Sequence, residues 1–165
     1  MLGDPAVWDG VDLLVLQNEV TDVTNLVAAL AARKRGIPTL LNAAPFRLMT
    51  SDLGALVDIL VVNAVEAEMM GAGPVTDLGT AAAAATNLAS RFATVIVTAG
   101  SAGLACAGRD GSAFLVPAEK VKAVSSHGAG DAFIGTLAAR IADGQPLDAS
   151  CRAASLAAAR HVAGL

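Results

Sequence analysis

Four short apolar runs constrain this chain more than anything else in it. Residues 11–17 (VDLLVLQ), 37–42 (IPTLLN), 57–63 (VDILVVN) and 93–100 (ATVIVTAG) are nearly continuous in hydrophobic side chains. A strand with one wet face alternates polar and apolar residues, whereas a strand covered on both faces does not. Helix-length segments lie between the runs. Residues 21–36 open on Thr21 and Asp22 and close on basic residues and Gly36, which are helix boundary signals. Residues 76–92 carry a run of alanines at 81–85, and AVEAEMMG after the third run reads as a shorter helix. Buried strands joined by helices form crossover units, so the spacing predicts an α/β fold with a mostly parallel sheet. Further on, GLACAG and GSAFLVPA flank Arg109, Asp110 and Gly111, a hairpin turn. Two more helical segments, 128–143 and 148–162, are separated by Gly144 and Pro146. No repeat or long linker interrupts the pattern, and residues 1–165 are expected to form a single α/β domain.

Composition removes several functions. The formal net charge is -4, the isoelectric point is about 5.0, and aromatic residues make up 3% with no tyrosine. That combination speaks against binding a nucleic-acid backbone or stacking on bases. The apolar stretches are too short and interrupted to span a bilayer. The N-terminal MLGDPAVWDG lacks the basic start and apolar core of a signal peptide. A soluble, cytoplasmic protein with no membrane contact is therefore expected. Cys106 and Cys151 are far apart and form no CxxC, so two buried, reduced thiols are expected.

Motifs for other chemistries fail one by one. None of Lys34, Lys120 and Lys122 follows a glycine, which excludes a Walker phosphate loop. Gly128 and Gly130 are followed by Phe133 where a dinucleotide fingerprint needs its third glycine. AGSAG at 99–103 has Ala99 where a nucleophile elbow needs glycine. Cys106, His127, Cys151 and His161 lack metal-ligand spacing. What remains is GAGD at 128–131, directly before an apolar helical run. The first turn of a helix carries unpaired N–H groups and partial positive charge, and glycines let an anion approach them. A carboxylate beside that anion can take a proton from an attacking hydroxyl. Two readings stand at this point: a glycine turn with a favourable first-turn acid, or an anion hole with a base.

GAGD has company. VSSHGAGDAFIGTLAARIADG resembles the C-terminal signature of the ribokinase-like (PfkB) carbohydrate kinases, DTxGAGDxFxG. Four further stretches match that family in the same order: VDLLVLQNEV with its Gln-x-Glu element, TLLNAAPFR, LVVNAVEAEMMG with N-x-x-E, and VIVTAGSAGLACAG with T-x-G-x-x-G. The motif set is closest to ribokinase. The resemblance implies a Rossmann-like three-layer α/β/α fold and transfer of phosphate from Mg2+-ATP to a hydroxyl of a sugar or sugar-like small molecule. It implies Asp131 as catalytic base, also touching the substrate hydroxyl, with the N–H groups of Gly128, Ala129 and Gly130 as the anion hole. It places Asn63 and Glu66 at Mg2+, through water, and at the nucleotide phosphates. Thr98, Gly100, Ser101, Ala102 and Gly103 would border the nucleotide, and Glu19 would contact the sugar.

The chain also departs from the family. Ser125 stands where the family's aspartate helps bind an activating potassium ion, so K+ activation is not expected to carry over. Ala64 replaces the first acid of the common NExE form, and His127 fills a variable position. The family's chains are about twice as long; its N-terminal strands, its lid and its glycine-rich sugar motifs have no counterpart here. A sheet built from one half would leave an open edge and an apolar face, so completion by the missing N-terminal half or by a homodimer partner is expected. The alternative function is a non-catalytic nucleotide-binding or regulatory remnant that has lost its sugar site.

Overall fold

The computed structural model describes residues 4–165; residues 1–3 of the N-terminal stretch lie outside the described residues. The apolar runs become the parallel strands β1 (Leu14–Gln17), β2 (Thr39–Asn42), β3 (Ile59–Asn63) and β4 (Thr94–Thr98). Between them lie α1 (Asp22–Arg33), the short α2 (Ser51–Gly54), α3 (Ala64–Met69) and α4 (Leu78–Ala89). The hairpin follows as β5 (Gly103–Gly108) and β6 (Ala113–Pro117), both antiparallel to their neighbours. Two helices close the chain, α5 (Ala129–Ala142) and α6 (Leu147–Ala163). The expected mostly parallel sheet is present, with β5 and β6 as its antiparallel end.

The strands stand in chain order, β1 to β6. Each parallel step moves the same way across the sheet, and right-handed crossovers then put every connecting helix on one face. The two cores reflect this. On one face Leu16, Leu41, Leu60, Val62, Val95 and Val97 meet the alanines of α1 and α4 and Leu88. On the other, Leu40, Val61, Ile96, Leu104 and Cys106 meet Phe133 and Leu137 of α5 and Cys151 and Ala154 of α6. Neighbouring residues such as Leu40 and Leu41 serve opposite faces because strand side chains alternate. That double duty is why the runs read as continuously apolar, and it makes the fold three layers, α/β/α. Ala81, Ala84 and Ala85 are fully buried, and their small side chains let α4 lie close on the sheet. Thr21, Asn63 and Asp77 cap α1, α3 and α4 by accepting N–H bonds from the first turn.

Cover is incomplete at the β1 end. β1 is the edge strand, and Val15, on the face away from α1, is 42% exposed. On α1, Val23, Val27 and Leu30 form an exposed stripe at helical spacing.

Candidate active site

Strand ends of an open α/β sheet are where ligands bind, because the loops and helix starts converge there. Here a cleft of about 620 Å³ opens at the carboxyl ends of β3 and β4. One wall is Asn63, Glu66 and Thr98; a second is Gly100, Ser101 and Gly103 at the start of the hairpin; a third is Ala129, Gly130 and Asp131 at the start of α5. Motifs that are up to 68 positions apart in the chain thus face one space.

Asn63 ends β3 and caps α3. Its Oδ1 accepts the Glu66 N–H at 2.9 Å, while Glu66 Oε2 accepts the Asn63 N–H at 2.9 Å. This reciprocal capping box fixes both side chains. Glu66 is only 6% exposed although charged, and one of its carboxylate oxygens is committed to the cap. Thr98 Oγ1 donates to the Val62 carbonyl at 3.4 Å, tying the end of β4 to β3. Gly103 adopts φ 116° and ψ -138°, where only glycine is comfortable, and the turn Gly100–Ala102 precedes it. Ala102 and Gly128 are not among the cleft-lining residues.

The α5 start differs in one detail from a simple row of three donors. Gly128 is its N-cap at φ 77°, with no side-chain cap. The Ala129 N–H donates to the Ser126 carbonyl at 3.3 Å. The N–H groups of Gly130 and Asp131 have no partner among the described residues, and neither does the exposed Asp131 carboxylate. Ser125 Oγ accepts the His127 N–H at 3.3 Å, so this hydroxyl shapes the preceding turn.

Glu19 stands apart. It is exposed in the loop after β1, accepts from Gln17 Nε2 at 3.3 Å, and does not line the cleft. Its loop is tied toward the cleft all the same: Asn18 Nδ2 donates to the Ala43 carbonyl at 3.1 Å, and Arg47 reaches both the Asn18 carbonyl and Asp22. Among the described residues no group of three or more His, Cys, Asp or Glu clusters as a metal cage. Both thiols are buried and free, as expected from the sequence.

Several lining residues were not among the candidate site residues. Lys120 and Ser126 come from the loop before α5, and Asn42 from the end of β2. Ser155, Ala158, Ala159 and Val162 of α6 also line the cleft, at the i, i+3, i+4, i+7 spacing of one helix face. That spacing of small residues was visible in the sequence, without anything to say what it faced.

The family model for pfkB family carbohydrate kinases matches residues 3–163. This chain belongs to the pfkB family of carbohydrate kinases. Among its pfkB relatives, a ribokinase of Staphylococcus aureus is 32% identical over 156 residues, which are 91% of this chain and 51% of the relative. A deoxyribokinase of Salmonella typhi is 37% identical over 154 residues, 92% of this chain and 50% of the relative. The Arabidopsis thaliana ribokinase solved with ribose and ATP superposes with a TM-score of 0.84 at 25% identity, over 92% of this chain and 49% of that one. The Thermotoga maritima ribokinase gives 0.80 at 26%, over 94% and 52%. This pfkB chain thus spans about half the length of the relatives it matches. No helix among the described residues is long and apolar enough to cross a membrane.

Proposed function

We propose that this chain is the nucleotide-binding and catalytic part of an ATP-dependent kinase for a hydroxyl of a sugar or sugar-like small molecule. The observation that carries this reading is the one cleft that gathers Asn63, Glu66, Thr98, Gly100, Gly130 and Asp131 from three separate segments. Asp131 takes the proton from the acceptor hydroxyl. That oxygen bonds to the terminal phosphorus of ATP as the bond to the ADP oxygen breaks. The phosphoryl group carries spread negative charge in transit, and the α5 start offers N–H donors and the positive end of a 14-residue helix to hold it. The family motif assigns that anion hole to Gly128, Ala129 and Gly130; the unpartnered Gly130 and Asp131 N–H groups support the same location.

Mg2+, carried in on the nucleotide, would neutralise phosphate charge. Magnesium keeps most of its waters and needs only one or two protein carboxylates, so a site without a metal cage fits it. Glu66 and Asn63 would hold it through water, because the capping box already occupies Asn63 Oδ1 and Glu66 Oε2. Asp131→Asn tests the assignment in a coupled assay with ATP and ribose. General-base loss predicts roughly a 10²–10⁴-fold drop in kcat with ATP affinity little changed. Unchanged turnover in this variant would remove Asp131 from the mechanism.

A second reading, a nucleotide-binding remnant without a sugar site, has one observation in its favour: Glu19 stands outside the cleft walls. Calorimetry with Mg2+-ATP and ribose in separate titrations distinguishes the two, since the remnant binds nucleotide only. The open β1 edge and the α1 stripe support a further part of this proposal. A segment equivalent to the unmatched half of the relatives covers them in the working enzyme. Light scattering on the isolated chain should then find self-association or aggregation; a stable monomer would argue that the edge needs no cover. Cytoplasmic residence goes with this reading, because ATP and a reducing environment for the two thiols are found there.

A further inference from the structure

The loop that leads into the anion-binding start of α5 is held from across the fold. Residues 121–126 contain no helix or strand. Their anchor is the last turn of α6. The Val162 carbonyl accepts the N–H of Val124 at 2.8 Å and that of Ser125 at 3.2 Å. One residue earlier in α6, His161 Nε2 lies 2.9 Å from the His127 carbonyl oxygen. A carbonyl can only accept, so Nε2 carries the proton and donates.

The same imidazole shapes the next residue. A Cβ at Gly128 would come within 2.8 Å of His161 Nε2, and Gly128 has φ 77°. The backbone angle demands glycine, and a side chain there would also push the His161 imidazole off its carbonyl partner. Gly128 in turn sets α5: its carbonyl accepts the Ala132 N–H at 2.9 Å, and the preceding Ser126 carbonyl accepts the Ala129 N–H. Displacing the His127 carbonyl would therefore rotate the peptide that leads into the donors at Gly130 and Asp131.

We propose that His161 is a positioning residue for phosphoryl transfer: its Nε2–H fixes the His127 carbonyl, and thereby the orientation of the α5 anion-binding turn. This rests on the kinase reading above. The loop meets the group in transfer, so its misplacement affects the transition state more than nucleotide binding. One net hydrogen bond corresponds to roughly a tenfold effect.

The test compares His161→Ala with His161→Gln, whose amide N–H can replace Nε2–H. His161 is exposed, so neither change opens a core cavity, and circular dichroism checks the fold. His161→Ala should lower kcat for ribose phosphorylation about tenfold with KM for ATP within about twofold, and His161→Gln should recover most of the loss. Hydrogen exchange at the Ala129 and Ala132 amides, followed by NMR, reads the same contact without catalysis. It should quicken in His161→Ala and return toward the wild-type rate in His161→Gln. The exchange data decide the contact on this chain by itself; a chain joined to the covering segment proposed above and still inactive with ATP and sugars would sink the kinase reading instead. Wild-type exchange rates in His161→Ala, or no recovery by His161→Gln, would overturn the proposal.

Discussion

Gly100 and Gly103 look equivalent in TAGSAG, yet their surroundings predict very different costs for alanine. At Gly103 a Cβ would meet the Val116 carbonyl oxygen at 2.1 Å, the Ala118 nitrogen at 2.7 Å and the Pro117 carbonyl carbon at 2.9 Å. These are backbone atoms of the adjacent strand and its exit, so no side-chain rotation relieves them. To admit the methyl, β6 must retreat by about 1 Å, which loosens the Gly103–Pro117 end of the ladder and the Ala118 N–H bond to the Ala102 carbonyl. The φ of 116° adds about 1–3 kcal/mol of backbone strain, and one or two weakened hydrogen bonds add about 1 kcal/mol each. Gly103→Ala should therefore cost about 2–5 kcal/mol, a fall in Tm of roughly 5–15 °C for a chain of this size. At Gly100 the φ is 54° and nothing lies within 4 Å of a new Cβ, leaving about 1–2 kcal/mol for the left-handed conformation alone. Thermal and urea unfolding of both variants by circular dichroism decides the matter. Gly103→Ala no less stable than Gly100→Ala would refute the steric reasoning and make the two glycines interchangeable after all.

Three further groups yield tests. Burial pushes the Cys106 thiol up to about 12, with the Asp110 charge adding to it; burial does the same to Cys151, aided by Cys106 and Asp148 and opposed by Arg152. At pH 8 roughly one thiol in ten thousand would be ionised, so a disulfide reagent should label neither cysteine until denaturant is added. Rapid native labelling at that pH would show that the α5–α6 side of the core opens readily. Asp77, capping α4, is held below its ordinary value of 3.8 by the backbone and hydroxyl of Thr80. A depressed carboxylate stabilises the fold above its unfolded pKa and loses that contribution as pH falls through its folded value. Tm should thus decline with acid below about pH 4, and less steeply in Asp77→Asn. Parallel pH profiles for the two proteins would remove Asp77 as a source of acid sensitivity.

The sheet was legible because burial on both faces leaves its mark on every residue of a strand. Leu40 and Leu41, or Val61 and Val62, have no wet face to be polar toward. The start of α1 was legible for a similarly local reason, since Thr21 acts on a residue three positions ahead; Asn63 and Asp77 cap α3 and α4 in the same way without having been read as caps. Ser51–Gly54 was not, since one turn inside a connection has no periodicity to show. In the site, Asn63, Glu66, Thr98, Gly100, Ser101, Gly103, Ala129, Gly130 and Asp131 were all named from motifs and all line the cleft. The burial of Glu66 was not legible, because a capping box reads the same whether its acid is covered or solvated. Lys120 and the α6 face escaped notice because their part depends on tertiary neighbours. The contact between His161 and His127 spans 34 positions and joins a side chain to a carbonyl, and carbonyls leave no trace in a sequence.

The one-sided placement of the connecting helices has a consequence for the order in which the molecule matures. β1 to β4, with α1 to α4 on their first face, use residues 14–98 and pair neighbour with neighbour, so they can assemble through contacts that are close in sequence. The second face waits for residues 129–163, since α5 and α6 alone cover it there. Those same helices bring the anion-binding turn, Asp131 and the residues that hold the turn in place. During synthesis, therefore, a nascent chain would have most of its sheet long before it had the third wall of the cleft. On the proposed kinase reading, chain order alone would hold back phosphoryl transfer until α5 is made, while the bare strand face of the incomplete product is the surface a chaperone would have to shield.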